Sequence, residues 1–512
     1  MISTAWSYKK KVLILILAVG VLRLLMAFMI PLGNDESYYW VYSQHLKPNY
    51  FDHPPMVALW IRTTTFNLLL QDHSGFIRLG SVISCCLATW FMFKCAAVLI
   101  NERAGWFAAC LYNAFFYAGV TAGIFAMADA PEMLFWTWSM YLIVRITQNE
   151  NKWNYWLLFG VASGLCIMSK VHGFFIWIGV GGYVLFYKRR WLFNPKLYAA
   201  LVIAIVICLP LLFWNIHYNF ITWKFNGPRI EFENAAINWH YFFDEISAQV
   251  FKNNPLNVAV IIVALFALQR QTTQRSPALT IFNFAGLSLA LILLLIALHK
   301  ETLAHWSGPA YIALTPVAAA WLDKRKKQNS VQLVRLSLAM HVFVLLYCAA
   351  FINYYPGTYG VRSGRFIGIG DKSLDLFGWN IAGKKFDSIY LDLEQRNIIP
   401  HHTPVVGYRW WDSHIEYYFC RPSNIKMIGL GDVMDLHEYV WMNRLRKDSV
   451  NMQQAFCIIP SDGFYNVRRV YANYYSHVDS VTNIQTYRVN EPAHNFYVYH
   501  LWGWKGNMPM EQ

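Results

Sequence analysis

Val12 to Ile30 reads VLILILAVGVLRLLMAFMI, and after Pro31-Leu32-Gly33 comes Asn34-Asp35-Glu36-Ser37-Tyr38-Tyr39-Trp40. The first run has the length of a bilayer-spanning helix. No small-x-small cleavage site follows it, so it reads as a retained span and not as a removed leader. Tyr8-Lys9-Lys10-Lys11 in front of it predicts a cytoplasmic N-terminus. The second stretch falls where that helix leaves the bilayer. Two adjacent carboxylates there do little for insertion, and charges in such places usually serve a function. Asp35 first, and Glu36 beside it, are candidate catalytic residues, with Tyr38 and Tyr39 lining the site. The plainer reading is that the acids cap a surface helix and Tyr38, Tyr39 and Trp40 form an interfacial aromatic belt.

Composition extends the membrane reading to the whole chain. Of 512 residues 56% are hydrophobic, 17% aromatic and only 14% charged. Soluble domains are nearer a quarter charged. The formal charge of +14 does not point to nucleic acid, because the basic residues fall in short clusters between apolar runs. Such clusters mark cytoplasmic turns, and anionic or phosphorylated lipid is the natural partner.

After Val12–Ile30, apolar runs lie near 76–100, 104–122, 130–147, 155–169, 171–187, 197–215, 255–269, 279–298, 303–322 and 331–352. This predicts a polytopic α-helical membrane protein with about 11 transmembrane helices. Alternation then puts Asn101-Glu102-Arg103, Arg145 to Lys152, Lys188-Arg189-Arg190, Gln269 to Arg275 and Lys324 to Lys327 on the cytoplasmic side. Met56 to Leu70 is short and carries Arg62, which suits an interfacial helix better than a span. Residues 1–352 form the expected membrane domain. From 353 onward, β-rich runs (Thr403 to Tyr408, Ala455 to Pro460) alternate with helical patterns near 382–397, 411–420 and 435–446. That predicts a C-terminal α/β domain, 353–512, on the extracytoplasmic side. Seven of the nine cysteines lie in apolar runs; Cys420 and Cys457 could pair if their domain is exported.

The outward turns collect Asp35, Glu36, Asp52, His53, Asp129, Glu132, Lys170, His172, the loop from His217 to Asn254, and His299 to Trp306. Acids and bases gathered at one membrane surface suit the attack of a hydroxyl on a sugar carried by a lipid phosphate. Phosphate is already a good leaving group, so one carboxylate base suffices, where a glycosidase needs two. A cation must then hold the departing charge. Lys170, in Met168-Ser169-Lys170-Val171-His172-Gly173, interrupts two apolar runs and is the main candidate; the alternative is that it snorkels to the interface. Arg229 could close over a phosphate from its loop, or be a solvated loop charge. Asp129 could orient Lys170 or the acceptor, or cap the helix that follows. His53 joins the donor-binding set, and Asp52, His172, His305 and Trp306 are candidate lining residues. No cofactor follows from these motifs; a divalent metal on Asp35, His53 and His305 is conceivable but has no HxxxH-type spacing behind it.

Asp35-Glu36-Ser37-Tyr38-Tyr39-Trp40, Phe51-Asp52-His53-Pro54-Pro55, Phe76-Ile77-Arg78-Leu79, Asp129-Ala130-Pro131, Ser169-Lys170-Val171-His172 and His305-Trp306-Ser307-Gly308-Pro309-Ala310-Tyr311, in that order, resemble the protein-mannosyltransferase-like family. These are GT-C glycosyltransferases that use polyprenyl-phosphate sugars and are related to lipid A aminoarabinose transferases. The resemblance covers roughly 10–320 and is weaker beyond 353. It implies an inverting transfer at the outer side of the cytoplasmic (inner) membrane, from a lipid-monophosphate carrier to lipid A, another surface glycan or a protein. Asp35 matches the family's first-loop base, Glu36 its neighbour, and Lys170 the basic residue near the lipid phosphate. Where the lipid A enzymes have Lys before proline, this chain has His53, which leaves the donor sugar open.

A transporter or lipid flippase is the rival class. It would place polar groups at the bilayer midplane on broken helices of internal repeats. Here the ionisable residues gather at the edge and no internal repeat is visible.

Overall fold

The computed structural model describes residues 7–229, 231, 236–269, 276–325 and 328–506. All but Gln269 of the expected turn Gln269 to Arg275, and Lys326 and Lys327 of the next, lie outside the described residues, as do five positions of the 217–254 loop. The chain divides into two compact units, Met1–Phe28 with Leu46–Leu345, and Met29–His45 with Leu346–Gln512. The second unit therefore includes the Asp35 stretch as well as the C-terminal residues.

The helices in chain order are α1 (Tyr8–Met29), α2 (Asn34–Gln44), α3 (Met56–Thr64), α4 (Ser74–Leu99), α5 (Glu102–Ala114), α6 (Asp129–Gln148), α7 (Trp153–Ser169) and α8 (Phe174–Tyr187). They continue with α9 (Pro195–His217), α10 (Ile221–Asn226), α11 (Trp239–Lys252), α12 (Pro255–Gln269), α13 (Pro277–Ala297), α14 (Gly308–Lys324), α15 (Gln328–Tyr354) and α16 (Trp379–Gln395). Each expected apolar run carries a helix. Among the described residues, five of them (α1, α4, α9, α13 and α15) are long and apolar enough by length and composition to cross a bilayer, or six if the bent pair α11 and α12 counts as one. Some runs fall short because α5 stops at Phe115 and α6 carries Asp129, Glu132 and Arg145. The result is a polytopic helical membrane fold.

Lipid is as apolar as leucine, so close packing must hold these helices together. Gly160 and Gly164 on α7 face Ala200 and Ala204 on α9. A Cβ at Gly160 would lie 2.5 Å from the Ala200 carbonyl oxygen, and one at Gly164 3.1 Å from the Ala204 Cα. Small residues four apart on both helices thus bring the two backbones together. Arg23, buried on α1, is satisfied by Asn113 Oδ1 at 2.9 Å and the Gly119 carbonyl at 3.1 Å. That pairing answers the cost of an intramembrane cation.

The second unit is built on a five-stranded sheet ordered β2-β1-β3-β5-β4, with β1 Val405–Gly407, β2 Met427–Gly429, β3 Gln454–Pro460, β4 Tyr475–Arg488 and β5 Glu491–Trp504. β1 runs parallel to β2 and β3, while β5 pairs antiparallel with β3 and β4. Val489 and Asn490, at φ of 52° and 64°, make the tight turn between the long strands. Arg488 bonds Asp371 at 2.9 Å with both side chains fully buried, and it also reaches the carbonyls of Ile352 and Gly357. Cys420 and Cys457 are separate buried thiols, so the disulfide left open above is not formed.

Helix α2 is part of this unit. Tyr38, Tyr39, Trp40, Val41 and Tyr42 are all buried. Tyr38 packs 5.0 Å from the Trp410 ring and its hydroxyl accepts from Glu438 N; Trp40 meets Tyr417 edge-on at 5.1 Å. Just before α2, Leu32 N donates to Tyr418 Oη and the Leu32 carbonyl meets His414 Nε2 at 3.0 Å.

Candidate active site

Helix ends supply the chemistry in the first unit. α7 ends at Ser169, Lys170 turns extended (φ −158°, ψ 142°), and a short 3-10 turn, Val171–Gly173, leads into α8. This break turns the Lys170 ammonium inward, where only 3% of the residue stays exposed. Asp129, the first residue of α6, meets it: Lys170 Nζ donates to Asp129 Oδ1 at 2.9 Å. The Tyr117 hydroxyl donates to the same oxygen at 2.8 Å. A carboxylate in the first turn of α6 is also favoured by the helix dipole. The pair is buried on both sides, where an uncompensated charge would be expensive.

Other expected residues surround this pair. His172, one turn past Lys170, has Nδ1 3.8 Å from Glu132 Oε1, and its ring meets Trp306 at 6.0 Å. His305 lies within the field of Asp129 and Lys170. Burial first, then Lys170, push its imidazole down to about 3, so it is neutral at neutral pH. His53 feels Lys170, Asp129 and Arg229; burial lowers its pKa, against the neighbouring Asp52 carboxylate 4.0 Å away. The segment carrying Asp52 and His53 is tied to α10, where Asn49 donates to Thr222 at 3.2 Å and Phe51 packs 5.0 Å from Phe225. Arg229, just past α10, is exposed and lays its guanidinium over the Phe225 ring at 4.5 Å. The structure thus gathers His53, Asp129, Lys170, His172, His305, Trp306 and Arg229 in one unit.

Two members of the cluster had no individual role assigned from sequence: Glu132, which was collected only with the outward-turn acids, and Tyr117. Glu132 is fully buried one turn after Asp129, and Tyr117 sits in a π-helical turn past α5. The i, i+3 spacing of Asp129 and Glu132 was a usable signal for the first; Tyr117 had none.

Asp35 and Glu36 belong to the second unit and differ in exposure. Asp35 is exposed, whereas Glu36 is 2% exposed and its Oε2 accepts from Gly33 N at 2.9 Å, capping α2. Asn34 N donates to Asp375, whose carboxyl, half open to solvent, is pushed upward by the surrounding protein and then by Glu36. Tyr38 and Tyr39 are held in the unit's aromatic packing. Among the described residues no group of three or more His, Cys, Asp or Glu side chains is arranged to hold a metal ion.

Residues 52–214 match the family described as dolichyl-phosphate-mannose-protein mannosyltransferase. The chain is 24% identical over 309 residues to the lipid A galacturonosyltransferase RgtD of Rhizobium johnstonii, covering 60% of this chain and 63% of that one. Along 134 residues it is 28% identical to the undecaprenyl phosphate-alpha-4-amino-4-deoxy-L-arabinose arabinosyl transferase of Yersinia enterocolitica, covering 26% and 24% of the two chains. Residues 52–214 therefore carry a segment of that mannosyltransferase family, and the longer alignment is similar to a lipid A glycosyltransferase. ArnT from Cupriavidus metallidurans has the same fold: TM-score 0.63 in the apo state, at 14% identity and covering 96% of this chain and 98% of that one. The structure of ArnT bound to undecaprenyl phosphate gives the same TM-score at 15% identity. The family match begins at Asp52 and takes in Asp129, Lys170 and His172, so most of the buried cluster lies inside the matched segment. The matched parts span less than two thirds of both curated relatives.

Proposed function

We propose that the chain is an inverting glycosyltransferase of the cytoplasmic membrane that moves a sugar from a polyprenyl-phosphate carrier to a hydroxyl acceptor, with lipid A the leading acceptor class. The observation that carries this reading is the buried Asp129–Lys170 pair at the α7–α8 break, ringed by His53, His172 and His305. A lysine fixed by one carboxylate keeps two further N–H donors, which a lipid phosphate can use as it departs. Arg229, exposed on its short turn, supplies a second cation for the same phosphate.

Asp35 is the proposed base. Asp35 is an exposed carboxylate in the first turn of α2, reachable from solvent by an acceptor hydroxyl whose proton it would take. The names of the relatives support a lipid A acceptor and an undecaprenyl-phosphate carrier, and leave the sugar open between a uronic acid and an amino pentose.

The test compares lipid A, surface glycan and envelope proteins by mass spectrometry in cells with and without the chain. Loss of one sugar mass from lipid A is expected. An unchanged envelope, together with no transfer by the purified chain from undecaprenyl-phosphate sugars, would refute the proposal.

A further inference from the structure

A second polar feature lies at the other end of α5 from Tyr117. The residues from α1, α5 and α15 enclose a cavity of about 250 Å³ lined by Lys11, Arg103 and Arg335 among apolar and aromatic side chains, with no acidic residue in its wall. Arg103 is at the start of α5, whereas Tyr117 and its partner Asp129 lie beyond the helix's C-terminus. The length of α5, roughly 20 Å, separates the two sites.

Two of the three charges of this cavity have no carboxylate partner among the described residues. Among the described residues neither Lys11 nor Arg335 has a carboxylate within ion-pair distance. Arg103 stands 3.7 Å from Asp323, which also accepts from Asn101 at 2.6 Å. Lys11 and Arg335, with Arg103 only partly offset by Asp323, leave the wall with excess positive charge that an anion would relieve. Along α5 the lining passes from Arg103 through Trp106 to Cys110, and along α15 from Arg335 to Leu338. Charge thus gives way to apolar surface over two turns of α5, about 10 Å. The helices on either side, α1 and α15, are, with α9, the candidate spans with the least of their length buried, so the cavity sits at the lipid-facing rim of the bundle. A space of this size exceeds several waters and falls short of the ~300 Å³ of ordinary small-molecule pockets.

We propose that this cavity binds the phosphodiester headgroup of an anionic glycerophospholipid, with its glycerol and upper acyl chain against Trp106, Cys110 and Leu338. Phosphate oxygens meet Lys11, Arg103 and Arg335, and the graded wall below them fits an amphiphile better than a soluble anion.

The experiment follows the melting temperature of the full-length chain in neutral detergent with phosphatidylglycerol, phosphatidylcholine or inorganic phosphate added. Phosphatidylglycerol should raise it by about 5 °C near saturation, while the other two leave it unchanged. The triple variant Lys11→Gln, Arg103→Gln, Arg335→Gln should lose that shift, and Lys9→Gln with Lys10→Gln should keep it. An equal shift with inorganic phosphate would overturn the lipid assignment, and an equal loss in the Lys9, Lys10 variant would reduce the effect to general surface charge. If the triple variant does not fold, photoactivatable phosphatidylglycerol on the unaltered chain decides. Crosslinks within 103–110 and 331–338 support the site, and crosslinks only elsewhere refute it.

Discussion

Asp129 and Lys170 are 41 residues apart in the chain and 2.9 Å apart in space, each almost fully buried. Among the described residues neither charge has a second ion-pair partner, and Tyr117 supplies a neutral hydrogen bond. Their dependence on one another governs what substitution does.

Removing either partner strands the other. Lys170→Met and Asp129→Asn should each lower stability by about 3–5 kcal/mol, and the double variant should lose less than the sum. Thermal unfolding in detergent measures this cycle. Strict additivity would mean that the pair is not coupled.

Asp35 and Glu36 should separate chemistry from structure. Asp35→Asn is expected to leave stability within about 0.5 kcal/mol while transfer falls below detection. Glu36→Gln, which weakens a cap, should cost about 1 kcal/mol and keep measurable transfer. Turnover of undecaprenyl-phosphate sugar by the purified variants checks both; an active Asp35→Asn enzyme would remove the proposed base.

The contact between α7 and α9 makes a graded forecast. Gly160→Ala must push against a backbone carbonyl 2.5 Å from the new methyl, whereas Gly164→Ala meets Ala204 at 3.1 Å. The first should destabilise by about 2–3 kcal/mol and the second by about 1. Equal melting temperatures for the two variants would contradict the packing described.

Acid should loosen the second unit through His414. Its ring is fully buried against Trp379, and burial pushes its pKa down to about 4, although the hydrogen bond to the Leu32 carbonyl favours the protonated form. Unfolded histidine titrates near ~6.5. Between those values the unfolded state binds the extra proton, so this contribution is complete above about 6.5 and drains away as pH falls toward 4. Hydrogen exchange in 29–45 and 413–418 should therefore quicken from pH 7 to pH 5, and His414→Gln should flatten that slope. An unchanged slope in the variant would assign the effect to another group.

Much of this was readable before any coordinates. Lys170 stood out because a lysine between two apolar runs needs an anion, and the structure provides Asp129. Each apolar run holds a helix, although the Phe115 break and the acids of α6 shorten or dilute some of them. β4 went unseen because half of Tyr475–Arg488 is exposed and the stretch shows no apolar alternation to betray a strand. The surroundings of α2 were the least legible. Its bonds to Asp375 and Glu438 join residues 341 and 400 positions apart, and no local pattern announces partners at that range.

That last separation bears on biosynthesis. Residues 29–45 leave the ribosome early, but Asp375, Trp410, His414, Tyr418 and Glu438 follow hundreds of residues later. The segment holding Asp35 must wait unfinished through most of translation, so a nascent or prematurely stopped chain cannot yet position its proposed base. On the proposed function, competence for transfer would then arrive only with the last domain, and a half-made chain would not yet consume the proposed lipid-linked donor.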